Sequence, residues 1–204
     1  MAVGAAFDPF RPEDADQRVR LHGLSWEDYE ALLAMRGESS GVRITYLEGE
    51  VELMSPGRPH EKQKKRLARL LEAWADETGT TLEGFGSWTL KRREAERGAE
   101  ADECYVVGRP DSDESIVAPD IAIEVVWTSG GIDKLEVYRL LGVREVWFWQ
   151  DGRLTFHALR GAIYVAIPRS EVLPALDPAL IEGCMTELSQ TAAVASLRRA
   201  FRSP

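Results

Sequence analysis

Glu124, one charged residue within an otherwise apolar segment, constrains the fold of this chain more than any other feature. Its segment, IAIEVVW at residues 121–127, otherwise consists of side chains suited to a strand that is buried on both faces. A buried carboxylate without a partner costs several kcal/mol, so Glu124 requires a cation or a metal ion nearby. We therefore expect a charged site built into the interior of a β-sheet.

A second carboxylate close to Glu124 has to come from a neighbouring strand. If residues 102–107 and 119–126 form an antiparallel pair whose joined ends face each other, Asp102 lies directly opposite Glu124. Two like charges placed there destabilise the sheet unless a cation lies between them, and Mg²⁺ or Mn²⁺ with carboxylate and phosphate ligands would suit. In the alternative interpretation, Asp102 begins a strand in solvent and Glu124 forms a salt bridge with a lysine or arginine.

Lys134 lies in the first turn of the helix that follows this strand, so its side chain could reach back over the strand end. An ammonium group near the attacking water or the scissile phosphate would offset the negative charge that develops in phosphodiester cleavage. The alternative is a surface lysine that pairs with Asp133 or Glu136.

Three further residues are weaker candidates for a supporting role. His60 opens a helix after SPGRP, where it could contact water or phosphate, whereas Glu48 and Glu50 flank a hairpin turn and most often face solvent. The sequence contains no phosphate-binding loop, GxGxxG, GxSxG, HExxH or paired CxxC motif, which argues against cofactor enzymes and serine or thiol hydrolases.

The periodicity of the chain predicts an α/β or α+β fold. Residues 1–22 are expected to form an N-terminal tail or strap, and residues 23–204 a single domain. The predicted elements are a helix from Ser25 to Gly37, a hairpin over 42–54, a helix over 60–77, strands at 80–90, 103–107 and 120–127, a helix over 132–141, strands at 144–150, 153–158 and 162–167, and one or two helices after 173.

The net charge of −9 argues against a protein that holds nucleic acid mainly through phosphates. Basic residues nevertheless cluster at 62–69 and 91–93, either as a basic rim around an acidic metal pocket or as solvated faces of a helix and a strand end. Both interpretations stay open. The aromatic segment VWFW, residues 146–149, is either an inner strand or the edge of a homodimer.

The cellular setting is predicted from features that the sequence lacks. No apolar run approaches the roughly 20 residues that span a bilayer, and no signal peptide is evident, so we expect a cytoplasmic protein without a membrane partner. Cys104 and Cys184 are too few for a disulfide framework, and we expect both to be buried free thiols.

Five segments follow one another over most of residues 24–160: LSWEDYEAL, TYLEGEVELMSPGRPHEKQ, GAEADECYVV, PDIAIEVVWTSGGIDKLEVYRLLGVREVWFW and DGRLTFHAL. In this order they resemble the Uma2-like "putative restriction endonuclease" family of the PD-(D/E)xK nuclease superfamily. The resemblance implies a restriction-endonuclease-like core, a mixed β-sheet flanked by helices, and metal-dependent hydrolysis of phosphodiester bonds in nucleic acid, with DNA favoured over RNA.

The resemblance also implies roles for individual residues. Asp102 and Glu124 match the two acidic residues of the signature, and Lys134 replaces the signature lysine, whose usual position is occupied by Val126. Thr45 lies where family members often carry a glutamate.

In the implied site, Asp102 and Glu124 bind Mg²⁺, or Mn²⁺ as a substitute, and the Val125 carbonyl is a further ligand. Lys134 orients the nucleophile, and His60 matches a histidine of the family motif. The alternative function is a catalytically inactive binding or assembly module on the same fold.

Overall fold

A computed structural model of the chain describes residues 15–39, 41–110, 112–127 and 130–202. Its strands are β1 (Gln17–His22), β2 (Arg43–Leu47), β3 (Glu50–Ser55), β4 (Leu82–Gly84), β5 (Thr89–Arg92), β6 (Arg97–Glu100), β7 (Glu103–Val107), β8 (Ile121–Val126), β9 (Glu145–Gln150), β10 (Arg153–Arg160) and β11 (Ile163–Ile167). Its α-helices are α1 (Trp26–Arg36), α2 (Arg58–Thr78), α3 (Lys134–Tyr138), α4 (Pro178–Met185) and α5 (Gln190–Arg202).

The first sheet is antiparallel, with the strand order β1–β3–β2–β6–β5. Its centre is the predicted hairpin, in which Leu47 faces Glu50 across a turn where both Glu48 and Gly49 have positive φ. Helix α1 packs on this sheet and begins with a complete capping box between Ser25 and Asp28.

The second sheet is mixed, with the strand order β11–β10–β9–β8–β7–β4. Strands β8 and β9 are parallel, and all other pairs are antiparallel. Because β8 lies inside this sheet, Glu124 is held in the interior of the protein, as its apolar neighbours predict. Helices α2, α4 and α5 cover one face of the sheet and share its largest hydrophobic cluster.

The predicted fold class, a mixed α+β architecture with an N-terminal helix and a hairpin, is confirmed. Helix α2 begins at Arg58, before the predicted start, because a proline in the first turn of a helix is compatible with helical geometry. The tail or strap predicted for 1–22 includes β1, an edge strand whose mostly exposed side chains show no clear alternation. Residues 1–14 lie outside the described part, and the single-domain organisation stays a prediction.

Two predicted elements differ from the structure, and one strand was not predicted. The strand predicted over 80–90 is wrong, because β4 and β5 belong to different sheets. Strand β6, with the sequence RGAE, was not predicted because charged residues stand at both ends of a fully buried strand. The helix predicted over 132–141 is shorter, since α3 covers only Lys134–Tyr138.

Other expectations from the sequence have clear outcomes. The dimer-edge interpretation of VWFW is wrong, because β9 lies between β8 and β10. Cys104 and Cys184 are both buried and free, as expected. Among the helices of the described residues, none is both long and apolar enough to cross a membrane.

Candidate active site

Asp102 lies immediately before β7, beside the strand that carries Glu124. The predicted register of β7 and β8 is confirmed, since Glu103 faces Ile123, and the Asp102 amide donates to the Ile123 carbonyl at 3.1 Å. The carboxylate of Asp102 accepts a hydrogen bond of 2.6 Å from the Val125 amide. The register therefore brings Asp102 to the segment that contains Glu124 and Val125.

A buried network of charges surrounds Asp102. Arg43, on β2, forms an ion pair with Asp102 Oδ1, and His60 Nε2 lies 3.0 Å from the same oxygen. The other ring nitrogen of His60 lies 3.2 Å from Asp16 Oδ2. Burial raises the pKa of Asp16, but hydrogen bonds from His60 and from a backbone amide outweigh this effect and hold the pKa below its usual value.

Glu124 interacts with a second group of residues, which come from α3 and β2. Glu124 Oε1 accepts a hydrogen bond of 2.6 Å from Tyr138 and lies 3.3 Å from Lys134 Nζ. Lys134 Nζ also donates to Thr45 Oγ1 at 3.1 Å. Glu124 thus forms the salt bridge that the sequence left open as an alternative, and Lys134 does not pair with the acidic residues next to it on α3.

Tyr138 orients the carboxylate of Glu124. Complete burial raises the pKa of Tyr138 well above its usual range, and the adjacent negative charge of Glu124 raises it further. The phenol therefore stays protonated and donates a hydrogen bond. Because Tyr138 lies one turn after Lys134, a single short helix supplies both groups that contact Glu124.

A cavity of about 220 Å³ opens beside Glu124 and Lys134. Glu52 of β3 lines this cavity and is 3% exposed. Its Oε2 accepts a hydrogen bond of 3.2 Å from the Ile132 amide, and the same carboxylate packs so closely on Gly131 that an added Cβ would lie 3.2 Å from it. Glu52 therefore supports the loop that leads into Lys134.

Arg18 of β1 holds the same loop from the opposite side. Its Nη1 donates a hydrogen bond of 2.7 Å to the Gly130 carbonyl, and Arg18 lines the cavity together with Glu52. Residues 130–132 are consequently fixed to two adjacent strands of the first sheet, the edge strand β1 and its neighbour β3. Lys134 is positioned through these contacts as well as through its own hydrogen bond.

Among the weaker candidates, only His60 lies near the acidic pair. Glu48 forms an ion pair of 2.8 Å with Arg97, and Glu50 forms one of 3.3 Å with Arg20. Neither glutamate lines the cavity.

Glu52 was missed, although the hairpin contained a signal for it. A two-residue turn at Glu48 and Gly49 pairs Leu47 with Glu50, and two residues further on it pairs Thr45 with Glu52. Glu52 therefore stands across from the position where the family often carries a glutamate.

The donor atoms near Asp102 and Glu124 are carboxylate and carbonyl oxygens, the type of ligand that a hard divalent cation binds. Within the described part of the chain, no group of three or more His, Cys, Asp and Glu side chains is arranged to hold a metal ion. Both oxygens of Asp102 are engaged, by Arg43 and His60 and by the Val125 amide. Glu124 Oε2 forms no hydrogen bond or ion pair with the described residues.

Comparison with protein families identifies the family to which the chain belongs. The model of the Uma2 family, described as "putative restriction endonuclease", matches residues 26–190, which contain every candidate residue named above except Asp16 and Arg18. The chain belongs to the Uma2 family. The predicted resemblance to this family is confirmed.

Comparison with solved structures and curated proteins adds less. A crystal structure of "a putative nuclease belonging to DUF820" from Anabaena variabilis is 14% identical, with a TM-score of 0.48 over 81% of this chain and 96% of that chain. No curated protein matches the chain.

Proposed function

We propose that this Uma2 family member is a Mg²⁺-dependent endonuclease that hydrolyses phosphodiester bonds in nucleic acid. The observation that carries the proposal is the buried pair of Glu124 and Lys134 on the wall of an open cavity. Glu124 is 5% exposed, the Lys134 side chain is 15% exposed, and their charged groups lie 3.3 Å apart. A carboxylate and an ammonium group this close together are suited to binding a cation and a phosphate in one place.

Asp102 and Glu124 would hold Mg²⁺ together with the Val125 carbonyl. When bound, the metal ion would lower the pKa of a coordinated water and neutralise charge on the scissile phosphate. The donors fit in chemical type, and Arg43 and His60 both contact Oδ1 of Asp102. Binding of a metal ion to Oδ1 would displace one of these contacts, whereas Oδ2, which accepts one hydrogen bond from the Val125 amide, keeps a further acceptor site.

The remaining residues of the site would orient the reacting groups. Lys134, held between Glu124 and Thr45, would place its ammonium group beside the attacking water or the phosphate. Tyr138 would keep Glu124 in one orientation, and Glu52 would keep the preceding loop closed against the first sheet. None of these roles requires a conformational change of the strands.

Calorimetric titration of Mn²⁺ tests the metal site directly. We expect the wild type to bind, and Asp102→Asn and Glu124→Gln each to weaken binding at least tenfold, because each removes a charged ligand. Glu50→Gln, a carboxylate outside the cavity, is the matched control and should bind as the wild type does. Equal binding by all four proteins would refute the assignment of Asp102 and Glu124.

A cleavage assay tests the chemistry. Supercoiled plasmid, single-stranded DNA and RNA should be incubated with the wild type and Mg²⁺, since the site does not discriminate among them. Lys134→Ala should lower the cleavage rate about 10²–10³-fold, as expected for loss of a group that stabilises developing charge. Unchanged cleavage by this variant would exclude the proposed role of Lys134.

One observation favours a second candidate function, an inactive binding or assembly module. The ion pair between Arg43 and Asp102 already neutralises the buried carboxylate, which makes the site stable without a metal ion. This candidate predicts no Mn²⁺ binding by the wild type and no cleavage of any nucleic acid. Whether two copies of the chain associate through another surface is a separate question, which a size-exclusion experiment would answer.

A further inference from the structure

The two basic clusters of the sequence differ in what surrounds them. In the cluster at 91–93, Lys91 Nζ lies 2.8 Å from Glu30, and Arg93 pairs with Glu27. Acidic side chains of α1 therefore neutralise two of the three cations in this cluster. The cluster offers a polyanion only the charge of Arg92.

The cluster on α2 instead adjoins further arginines from the C-terminal helix. A groove of about 450 Å³ between α2 and α5 is lined by basic side chains, with Val194 and Ala195 among its apolar residues. The basic residues of the groove are Arg69, Arg198, Arg199 and Arg202. Four arginines around one groove contrast with the net charge of −9 of the whole chain.

Exposed lysines extend this basic surface along α2. Lys62 and Lys65 precede Arg69 by seven and four residues, so that they lie on the same side of the helix. At about 1.5 Å per residue, Lys62 lies roughly 10 Å from Arg69 along the axis. The lysines and Arg69 therefore connect the groove to the N-terminal end of α2, where His60 contacts Asp102.

The groove has a fixed shape because α2 is tied to the C-terminal segment. Arg66 donates hydrogen bonds of 2.7 Å to the carbonyl groups of Met185 and Glu187. Arg69 Nη1 donates one of 3.0 Å to Gln190 at the start of α5. A groove whose backbone and Arg69 side chain are held in place binds a regular polyanion with a smaller loss of conformational freedom.

We propose that Lys62, Lys65, Arg69 and Arg202 form a basic track that binds the phosphate backbone of the nucleic acid whose other end reaches the candidate active site. The inference rests on the proposed function, since it names the surface that holds the substrate. Arg198 is left out of the track because Asp76 and Glu77 lie 3.4 and 3.2 Å from it.

The track is tested by measuring how salt affects the binding of a DNA duplex of about 20 base pairs. Binding is monitored by fluorescence anisotropy, in the presence of EDTA to prevent cleavage. The variant K62Q/K65Q/R69Q/R202Q removes four positive charges. Each lost phosphate contact lowers the slope of log K against log[salt] by about 0.9, so the slope should fall by roughly 3 to 4 units. At low salt the affinity should fall at least a hundredfold.

The matched control is K91Q/R93Q/R153Q/R160Q, which removes the same charge from cations that are paired with Glu27, Glu30, Glu171 and Glu182. It should change the slope by less than one unit. Equal losses in both variants would show a global charge effect and overturn the track. Binding of the wild type to vesicles with about 30% phosphatidylserine, but not to the duplex, would also overturn the track.

Failure of the track is distinguishable from failure of the nuclease. If Glu124→Gln binds the duplex with the wild-type slope and neither protein cleaves it, the track stands and the proposed chemistry fails. If the fourfold track variant binds and cleaves as the wild type does, the track is excluded while the nuclease stands.

Discussion

The carboxylate of Asp102 is fully buried in the candidate site, and a buried arginine neutralises its charge. Arg43 is 4% and Asp102 0% exposed at the side chain, so removal of Asp102 leaves the buried guanidinium with only the half-exposed Glu61, 3.0 Å away, as a counterion. Asp102→Ala should lower the free energy of unfolding by about 3–5 kcal/mol, as measured by urea denaturation. Metal binding is for this reason tested with Asp102→Asn, which keeps the shape of the side chain.

An exposed ion pair provides the control for this prediction. Glu171 and Arg160 form a salt bridge in which both side chains are about half exposed, at 53% and 48%. Glu171→Ala should unfold at the same urea concentration as the wild type, because solvent screens such pairs. If Asp102→Ala were equally harmless, the buried network would not stabilise the fold.

At the scale of elements, α3 depends on its neighbours, since a five-residue helix is too short to be stable alone. Arg97 of β6 donates to the Glu136 backbone carbonyl at 3.2 Å and to its carboxylate at 2.8 Å. Hydrogen bonds from Arg139, and further ones from Arg97, lower the pKa of Glu136 to about 2. Strand β6 and α3 are thereby joined next to Lys134.

The pKa of Glu136 predicts how stability depends on pH. A carboxylate with a lowered folded pKa stabilises the fold fully above its ordinary pKa of 4.5, and this contribution is lost as the pH falls toward 2. Glu136→Gln should therefore lose less stability than the wild type between pH 5 and pH 2.5 in thermal unfolding followed by circular dichroism. The effect should be modest, because the side chain is 38% exposed.

Glu103 provides a comparison of opposite sign. Burial raises the pKa of Glu103, so its ionised carboxylate destabilises the fold, and this penalty is relieved as the pH falls and the group becomes protonated. Glu103→Gln should accordingly lose more stability than the wild type on acidification. The same response in both glutamine variants would contradict the assigned pKa shifts.

At the scale of the whole molecule, the C-terminal helices complete the core of the second sheet. Leu197 of α5 is fully buried in the cluster that also contains Trp147 and Leu71. Leu197→Ala should lower the free energy of unfolding by about 2–5 kcal/mol, because it leaves a cavity. Leu188→Ala, between α4 and α5, removes a fully exposed leucine and should leave stability unchanged in the same urea titration. Equal stability of both variants would show that α5 is dispensable.

Local patterns were enough to predict several parts of the fold and the site. The buried strand around Glu124 followed from its apolar composition, and the hairpin over 42–54 followed from the periodicity of the chain. The register of β7 and β8, which brings Asp102 toward Glu124, followed from the assumption that the joined ends of the two strands face each other. These features depend on interactions between residues that are close along the chain.

The rest was decided by tertiary structure, because it depends on contacts between residues far apart in the sequence. Arg43 and His60 meet Asp102 only when the first sheet and α2 pack against the second sheet, and β6 becomes a strand only because β2 and β5 flank it. By itself the sequence determined that Glu124 needs a cationic partner in the interior. Only the folded chain decided that Lys134 is that partner, because only packing of α3 against β8 brings the two charges within 3.3 Å.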